Sequence, residues 1–197
     1  PGRVVWAHDP DATDWAGFSS AQRWYDPAHT NLEVVERMLG EVVRGVAGER
    51  TNPAAWDALF RATNRKRGKG DLGYRPGEKI AIKINLTTCN ARGQCVDPVT
   101  YDKKAVYVNR IDNSPQALLA LLRQLVNQAG ARQADITLGD TTGLVPNYLW
   151  DFLGKEFPNV RYWDNYGGSG RVRAEFSKTP IHWSTPAAAG KLQDYIS

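Results

Sequence analysis

The stretch Lys79-Ile80-Ala81-Ile82-Lys83-Ile84-Asn85-Leu86 decides the fold, because it carries the clearest strand pattern in the chain. Its isoleucines alternate with other residues, and a period of two is the signature of a β-strand. The Pro76-Gly77 pair places a turn just before it. We therefore predict a strand over 79–86 that opens at Asn85 into a polar loop.

Two more strands follow this one, and a helix precedes each of them. A leucine-rich helix begins at Ser114 and ends at Gly130, where glycine commonly terminates helices. The second strand spans 135–139, a helix opens at Pro146, and the third strand spans 160–163. This alternation predicts an α/β fold of three layers, with a mostly parallel central sheet and helices on both faces.

The flanking regions predict smaller elements. The apolar run Val4–Ala7 indicates a buried first strand. Apolar residues at helical spacing predict helices over 31–48 and 52–67. Less regular patterns suggest an edge strand over 105–108 and a hairpin around 171–176.

The composition of the chain fits one domain. With 197 residues and 42% hydrophobic content it can bury an ordinary core, and we predict a single α/β domain over 1–197. The formal charge of +4 is spread over the chain, which argues against a nucleic-acid partner. An apolar run of about 18 residues, which a membrane span needs, does not occur in the sequence. The start at Pro1-Gly2-Arg3, directly before an apolar stretch, leads us to expect that a targeting segment has been removed. Leu192–Ser197 reads as the opening of an element, so we expect the native chain to continue.

Open parallel sheets bind ligands outside the carboxyl ends of their strands, because the loops converge there. Three polar segments follow the three predicted strands, at 85–89, 140–143 and 164–168. We predict that these segments form one edge at which a small molecule binds.

Lys83 is the most informative residue of this edge, since an ammonium inside a sheet covered on both faces needs a negative partner. Asp140 is one candidate partner, and a bound phosphate or carboxylate is the other. The alternative is that Lys83 reaches solvent through its flexible stem. We predict Lys83 and Asp140 as catalytic residues, with Asp140 acting as acid or base or holding a divalent cation.

Four further side chains would contact the ligand: Asn85, Thr87, Thr141 and Thr142. Amides and hydroxyls orient small polar ligands, although each of these residues could equally bond its own loop. The sequence 139–143 matches neither a Walker A loop nor a dinucleotide fingerprint, so it does not indicate a nucleotide. The three histidines are scattered and suggest no metal triad, and a nucleophilic hydrolase has little support.

Cys89 and Cys95 are the only cysteines, and a short polar loop separates them. They could close a disulfide, remain free thiols, or serve a metal or redox centre. Two ligands are too few for a complete zinc or iron–sulfur site, so a cluster would need ligands from outside this chain.

Four motifs occur together in the central part of the chain: 74–86 with Lys83-Ile84-Asn85, 112–115, 127–131, and 136–140 ending in Gly139-Asp140. With them the chain resembles the amino-terminal part of family 362 of the domains of unknown function, over about residues 2–164. The resemblance implies a protein of a family whose biochemical activity is not settled.

Some members of that family carry ferredoxin-type cysteine clusters, and others are exported with a twin-arginine signal. The resemblance therefore implies a bacterial protein outside the cytoplasm, periplasmic or secreted. A divalent metal or an iron–sulfur cluster is the candidate cofactor of the full-length protein. This chain departs from the first group because it lacks such cysteine clusters, and it stops before the family's carboxyl-terminal half. Part of an active site would then be missing.

These patterns leave three functions open. The first is an enzyme or enzyme fragment that binds a small anionic or metal-bound ligand, with Lys83 as anchor and Asn85 as orienting group. The second is an iron–sulfur or metal-dependent redox protein that uses Cys89 and Cys95. The third is a secreted binding module without catalysis, in which the aromatic loop Trp15–Tyr25 recognises carbohydrate or protein.

Overall fold

The computed structural model describes residues 2–89, 95–105 and 111–175, together with the backbone of Ile181–His182 and Leu192–Gln193. The helices are α1 (Leu32–Ala47), α2 (Asn52–Lys66), α3 (Pro115–Arg123) and α4 (Asn147–Gly154). The strands are β1 (Ile80–Lys83), β2 (Ile136–Gly139), β3 (Arg161–Asp164), β4 (Val172–Arg173), β5 (Ile181–His182) and β6 (Leu192–Gln193). The predicted edge strand at 105–108 lies largely outside the described residues.

The central sheet is parallel and pairs its strands in chain order, β1-β2-β3-β4. Helices alternate with its first three strands, which confirms the predicted α/β fold. β5 and β6 pair with each other in a separate antiparallel ladder. Within the described ranges, no helix is long and apolar enough to cross a membrane.

Local sequence explains where the helices begin and end. The side chain of Asn31 accepts from the amide of Val34 at the start of α1, and Gly48 takes the left-handed conformation (φ 76°) after its end. The side chain of Thr51 accepts from the amide of Ala54 at the start of α2. Ser114 caps α3, which continues as one π-helical stretch over Gln124–Gln128.

One face of the sheet forms the core. Ile84 and Leu86 after β1, Leu138 of β2 and Tyr162 of β3 are buried there. They belong to one cluster with the leucines of α3 and α4: Leu118, Leu119, Leu122, Leu149 and Leu153. This face therefore supplies most of the hydrophobic stabilisation of the domain.

The other face of the sheet is only partly covered in the described part of the chain. Ala81 and Lys83 of β1 and Arg161 of β3 are exposed on it. The described helices pack on the opposite face, so the second helical layer of the three-layer arrangement stays a prediction.

The prediction of a buried strand at Val4–Ala7 is wrong. These residues form no strand, and Val4 and Trp6 are 89% and 79% exposed. The segment lies along α1 instead, because Val5 packs against Gly45 and Arg3 donates to the carbonyl of Gly45 at 2.9 Å. An apolar run alone did not distinguish these two arrangements.

The hairpin predicted around 171–176 is also wrong for its described residues. Val172 and Arg173 pair with β3 in parallel, not with a following strand. The connection from β3 to β4 is tight at Gly167, where a side chain has no room because a Cβ would lie 2.5 Å from the amide nitrogen of Arg173. Among the described strands, β4 is therefore the terminal strand of the sheet, next to β3.

Candidate functional site at the carboxyl edge of the sheet

The structure brings Lys83, Asn85 and Asp140 together at the carboxyl edge of the sheet. The Lys83 amine donates to Asn85 Oδ1 and, at 3.3 Å, to Asp140 Oδ2. Of the two environments that the sequence left open for Lys83, the structure favours the solvated one, since its side chain is 58% exposed. β1 is the terminal strand of the sheet among the described strands, and its ammonium reaches the carboxyl edge and solvent.

Asp140 is a buried carboxylate whose two oxygens are fully used. Oδ1 accepts from the amide of Thr142 at 3.0 Å and from its hydroxyl at 3.1 Å. Oδ2 accepts from the amide of Leu86 at 2.9 Å in addition to Lys83. Burial raises the pKa of Asp140, but these hydrogen bonds outweigh burial and leave the pKa below its ordinary value. Asp140 is therefore a stable anion and a poor proton acceptor.

Asp164 repeats the same arrangement one strand further on. Its Oδ1 accepts from the amides of Tyr166 at 2.9 Å and Gly167 at 2.6 Å, and its Oδ2 from the amide of Val145 at 3.1 Å. Each carboxylate thus closes its own turn and holds the loop after the preceding strand. The shared signal in the sequence is an aspartate at a strand end followed by a polar, glycine-containing turn.

The residues before α3 complete the edge beside β1. Asp112 Oδ2 accepts from both the amide and the hydroxyl of Thr88 at 2.9 Å. The side-chain amide of Asn113 donates to the carbonyl of Asn85. Sequence analysis did not select Asp112 or Asn113, because their partners lie 24 and 28 residues away.

The predicted threonines differ in their surroundings. Thr142 is exposed, but its hydroxyl is bound to Asp140. Thr141 is half-buried in the same turn, and Thr87 is exposed in the loop after β1. Of the three, Thr87 lies nearest in sequence to the Lys83 and Asn85 side chains.

A buried cation, Arg171, holds the loops on the far side of the edge. Its guanidinium donates to Val145 O at 3.0 Å, Asn147 Oδ1 at 2.7 Å and Ser169 O at 2.9 Å. The rings of Tyr101 and Trp150 lie 4.4 and 4.6 Å from it. Burial lowers the pKa of Arg171.

The two cysteines are free thiols in the structure, and both are buried. The disulfide that the sequence allowed is absent from it. The sulfur of Cys89 contacts the hydroxyls of Thr88 at 3.9 Å and Tyr148 at 4.0 Å. Burial, together with the charge of Asp112, raises the pKa of Cys89 to about 11, so its thiolate is disfavoured.

Within the described ranges, no group of three or more histidine, cysteine or acidic side chains is arranged to hold a metal ion. His29 pairs with Asp14 at 2.8 Å, far along the chain from the edge, and His8 is exposed. The side chain of His182 lies outside the described residues.

Comparisons of the chain with protein-family models, characterised proteins and solved structures gave no match. The resemblance to family 362 therefore stays a prediction. The function has to be inferred from the geometry of the edge itself.

Proposed function

We propose that the carboxyl edge of the sheet binds the anionic group of a small molecule, with Lys83 as its electrostatic anchor. The observation that carries this proposal is the state of the Lys83 amine. An ammonium has three N–H donors, and two of them are directed to Asn85 and Asp140. The side chain is more than half exposed, so the third donor is available to a ligand.

Asp140 has a supporting role in this proposal. Its four hydrogen bonds hold it as a carboxylate that fixes the position of Lys83 and of the loop at Leu86. An acid or base function would require one of these donors to leave. We therefore assign Asp140 as the counter-ion of Lys83, with Asn85 as the group that orients the amine.

The domain would act as an enzyme or enzyme half, and the resemblance to family 362 implies that it works outside the cytoplasm. The redox alternative is less well supported, because the buried Cys89 has a raised pKa and thiolates are the ligands of iron–sulfur clusters. The binding-module alternative rests on the aromatic loop. Much of that loop packs on itself, with the rings of Trp15 and Phe18 4.6 Å apart.

Titration of the ¹⁵N-labelled protein with acetate and with inorganic phosphate tests the anchor. We expect the amide resonances of Leu86 and Thr142 to shift in a saturable way. Lys83→Met should abolish the response, because the other donors around Asp140 are already bonded to its carboxylate and cannot bind the anion.

Lys79→Met provides the matched control. Lys79 also pairs with a buried aspartate, Asp135, which lies just before β2 at the opposite edge of the sheet. This variant should keep the response of the Leu86 and Thr142 amides. An unchanged titration in a folded Lys83→Met protein would refute the proposed function.

A further inference from the structure

Three residues lie in one row across the partly covered face of the sheet. Lys83 of β1 is in register with Gly139 of β2, and Gly139 is in register with Trp163 of β3. Residues in register in a parallel sheet share a face, so Lys83 and Trp163 lie on the same side of the sheet. Between them Gly139 carries no side chain.

The indole of Trp163 lies close to the backbone of Gly139. A Cβ on Gly139 would be 2.4 Å from the indole Cδ1 and 1.8 Å from the carbonyl oxygen of Trp163. No side chain fits in that space, and only glycine is tolerated. Because Nε1 is bonded to Cδ1, the indole N–H lies near Gly139, the residue of β2 that is in register with Lys83.

This N–H lacks an acceptor. Among the described residues, two buried side-chain polar atoms have no hydrogen-bond partner: Asn64 Oδ1 and Trp163 Nε1. Two other indoles have acceptors, since Trp56 donates to Gln124 Oε1 at 3.0 Å and Trp15 to Gln22 O at 3.3 Å. Buried donors are rarely left unpaired in folded proteins, so an unpaired one beside a candidate site indicates a group that is supplied by a ligand.

We infer that Trp163 is a second ligand-binding residue, and that its N–H and the Lys83 amine together hold one oxyanion above Gly139. This inference rests on the proposed function of Lys83. An indole N–H is a donor only, so the ligand atom that it meets must be an acceptor. A carboxylate or phosphate offers two oxygens, one for each donor, which is the chemistry common to both ligand classes.

The charges on this face agree with an anionic ligand. Asp140 already compensates Lys83, and the exposed guanidinium of Arg161 lies on the same face, two residues before Trp163. An incoming anion therefore meets a positive field from Arg161, the ammonium of Lys83 and a neutral donor. The neutral donor adds direction to the binding without adding another charge.

The test follows the indole resonances of the ¹⁵N-labelled full chain during titration with acetate and, separately, with inorganic phosphate. The Trp163 signal is assigned by its nuclear Overhauser effects to Gly139, so the assignment needs no variant. We expect this signal to move with the same dissociation constant as the amides of Leu86 and Thr142. The anion that saturates at the lower concentration identifies the ligand class.

Trp163→Phe keeps an aromatic ring and removes the N–H. It should weaken anion binding about tenfold, the loss expected for one hydrogen bond to a charged group. Trp56→Phe is the control, because its indole is paired with Gln124, and it should bind the anion as the parent protein does.

The outcomes separate this inference from the proposed function. If the Leu86 and Thr142 amides respond and Lys83→Met abolishes that response, the proposed function holds. A Trp163 indole that stays unmoved in the same titration then overturns the inference alone. If Lys83→Met does not change the response of the amides, the proposed function fails.

Discussion

The two ends of β2 each carry a buried aspartate that pairs with a lysine of the β1 segment, yet the two sites are built differently. Asp135 precedes the strand and pairs with Lys79, and Asp140 follows it and pairs with Lys83. The two lysines are four residues apart on the same face of the same strand segment. The Lys79–Asp135 pair therefore serves as a reference within the same protein for the Lys83–Asp140 pair of the candidate site.

At the amino end, side chains converge on a single carboxylate. Asp135 accepts from the hydroxyl of Tyr74 at 2.6 Å, the amine of Lys79 at 2.9 Å and the guanidinium of Arg132 at 2.8 and 3.2 Å. The amide of Gly77 adds a bond of 2.7 Å. Arg132 is the largest cause that lowers the pKa of Asp135, far below its ordinary range. These donors connect the turn at Gly77 to β2.

At the carboxyl end, the carboxylate is bound mainly by loop amides, and the lysine has a second partner. Asp140 accepts from two backbone amides and one hydroxyl, whereas Lys83 divides its donors between Asp140 and Asn85. At the amino end, several side chains donate to the Asp135 carboxylate. At the carboxyl end, the Lys83 ammonium keeps one donor for a ligand. The spare donor therefore lies at the carboxyl end of the strand, which is where open parallel sheets bind ligands.

Asp135→Asn should cause the largest loss of stability among the variants proposed here. The substitution removes the charge that Arg132 and Lys79 share and turns an NH₂ group toward donors that need an acceptor. Urea unfolding at pH 7 measures the change in the free energy of unfolding. Leu86 and Thr142 resonances should stay in place, because the carboxyl edge does not depend on Asp135.

Lowering the pH should weaken the hydrogen bonds at the amino end of β2 before it disrupts the packing of the core. The pKa values of Asp135 and Asp140 in the folded state lie below the ordinary value of 3.8, so the unfolded chain binds protons first as the pH falls. The stability from both groups is complete above about pH 4 to 5 and is lost as the pH drops toward their folded-state values. Urea unfolding at pH 7 and pH 3 should show this loss, and it should be smaller in Asp135→Asn. An equal loss in the variant would contradict the assignment to Asp135.

Asp140→Asn should have an intermediate effect, a loss of about 1–3 kcal/mol, because it leaves the amides of Leu86 and Thr142 with one acceptor oxygen in place of two. Unfolding in urea gives the size of the loss. Hydrogen exchange at the amide of Leu86 or of Thr142 should accelerate in the same variant, since one of the two loses its acceptor. Unchanged exchange at both amides would show that Asp140 holds neither its own turn nor the loop after β1.

The sequence was sufficient to predict the elements whose patterns are local. The alternating isoleucines at 80, 82 and 84 predicted β1, and caps such as Ser114 predicted helix starts, because these signals act between residues close in the chain. The prediction that Lys83 and Asp140 meet also followed from local patterns, given strands that pair in order. The strand prediction for Val4–Ala7 was wrong because hydrophobicity does not specify whether a segment joins a sheet or lies along a helix.

The rest of the site depends on contacts between distant residues, which no local pattern contains. Asp164 holds Val145 across 19 residues, and Arg171 reaches Val145 across 26. The exposure of Lys83 depends on which face of the sheet the helices cover, which is a property of the whole fold. The unpaired indole of Trp163 could be recognised only after its neighbours were placed.

Lys79→Met and Lys83→Met should have the smallest effects on stability, and the comparison between them is the sharpest. Their side chains are 70% and 58% exposed, so each ion pair is screened by water and contributes less than about 1 kcal/mol. Asp135 keeps Arg132 when Lys79 is removed, and Asp140 keeps the amides of Leu86 and Thr142 when Lys83 is removed. Unfolding in urea should therefore place both variants within about 1 kcal/mol of the parent protein. A stability loss in Lys83→Met as large as that in Asp140→Asn would make Lys83 a structural residue and remove the ammonium from the candidate site.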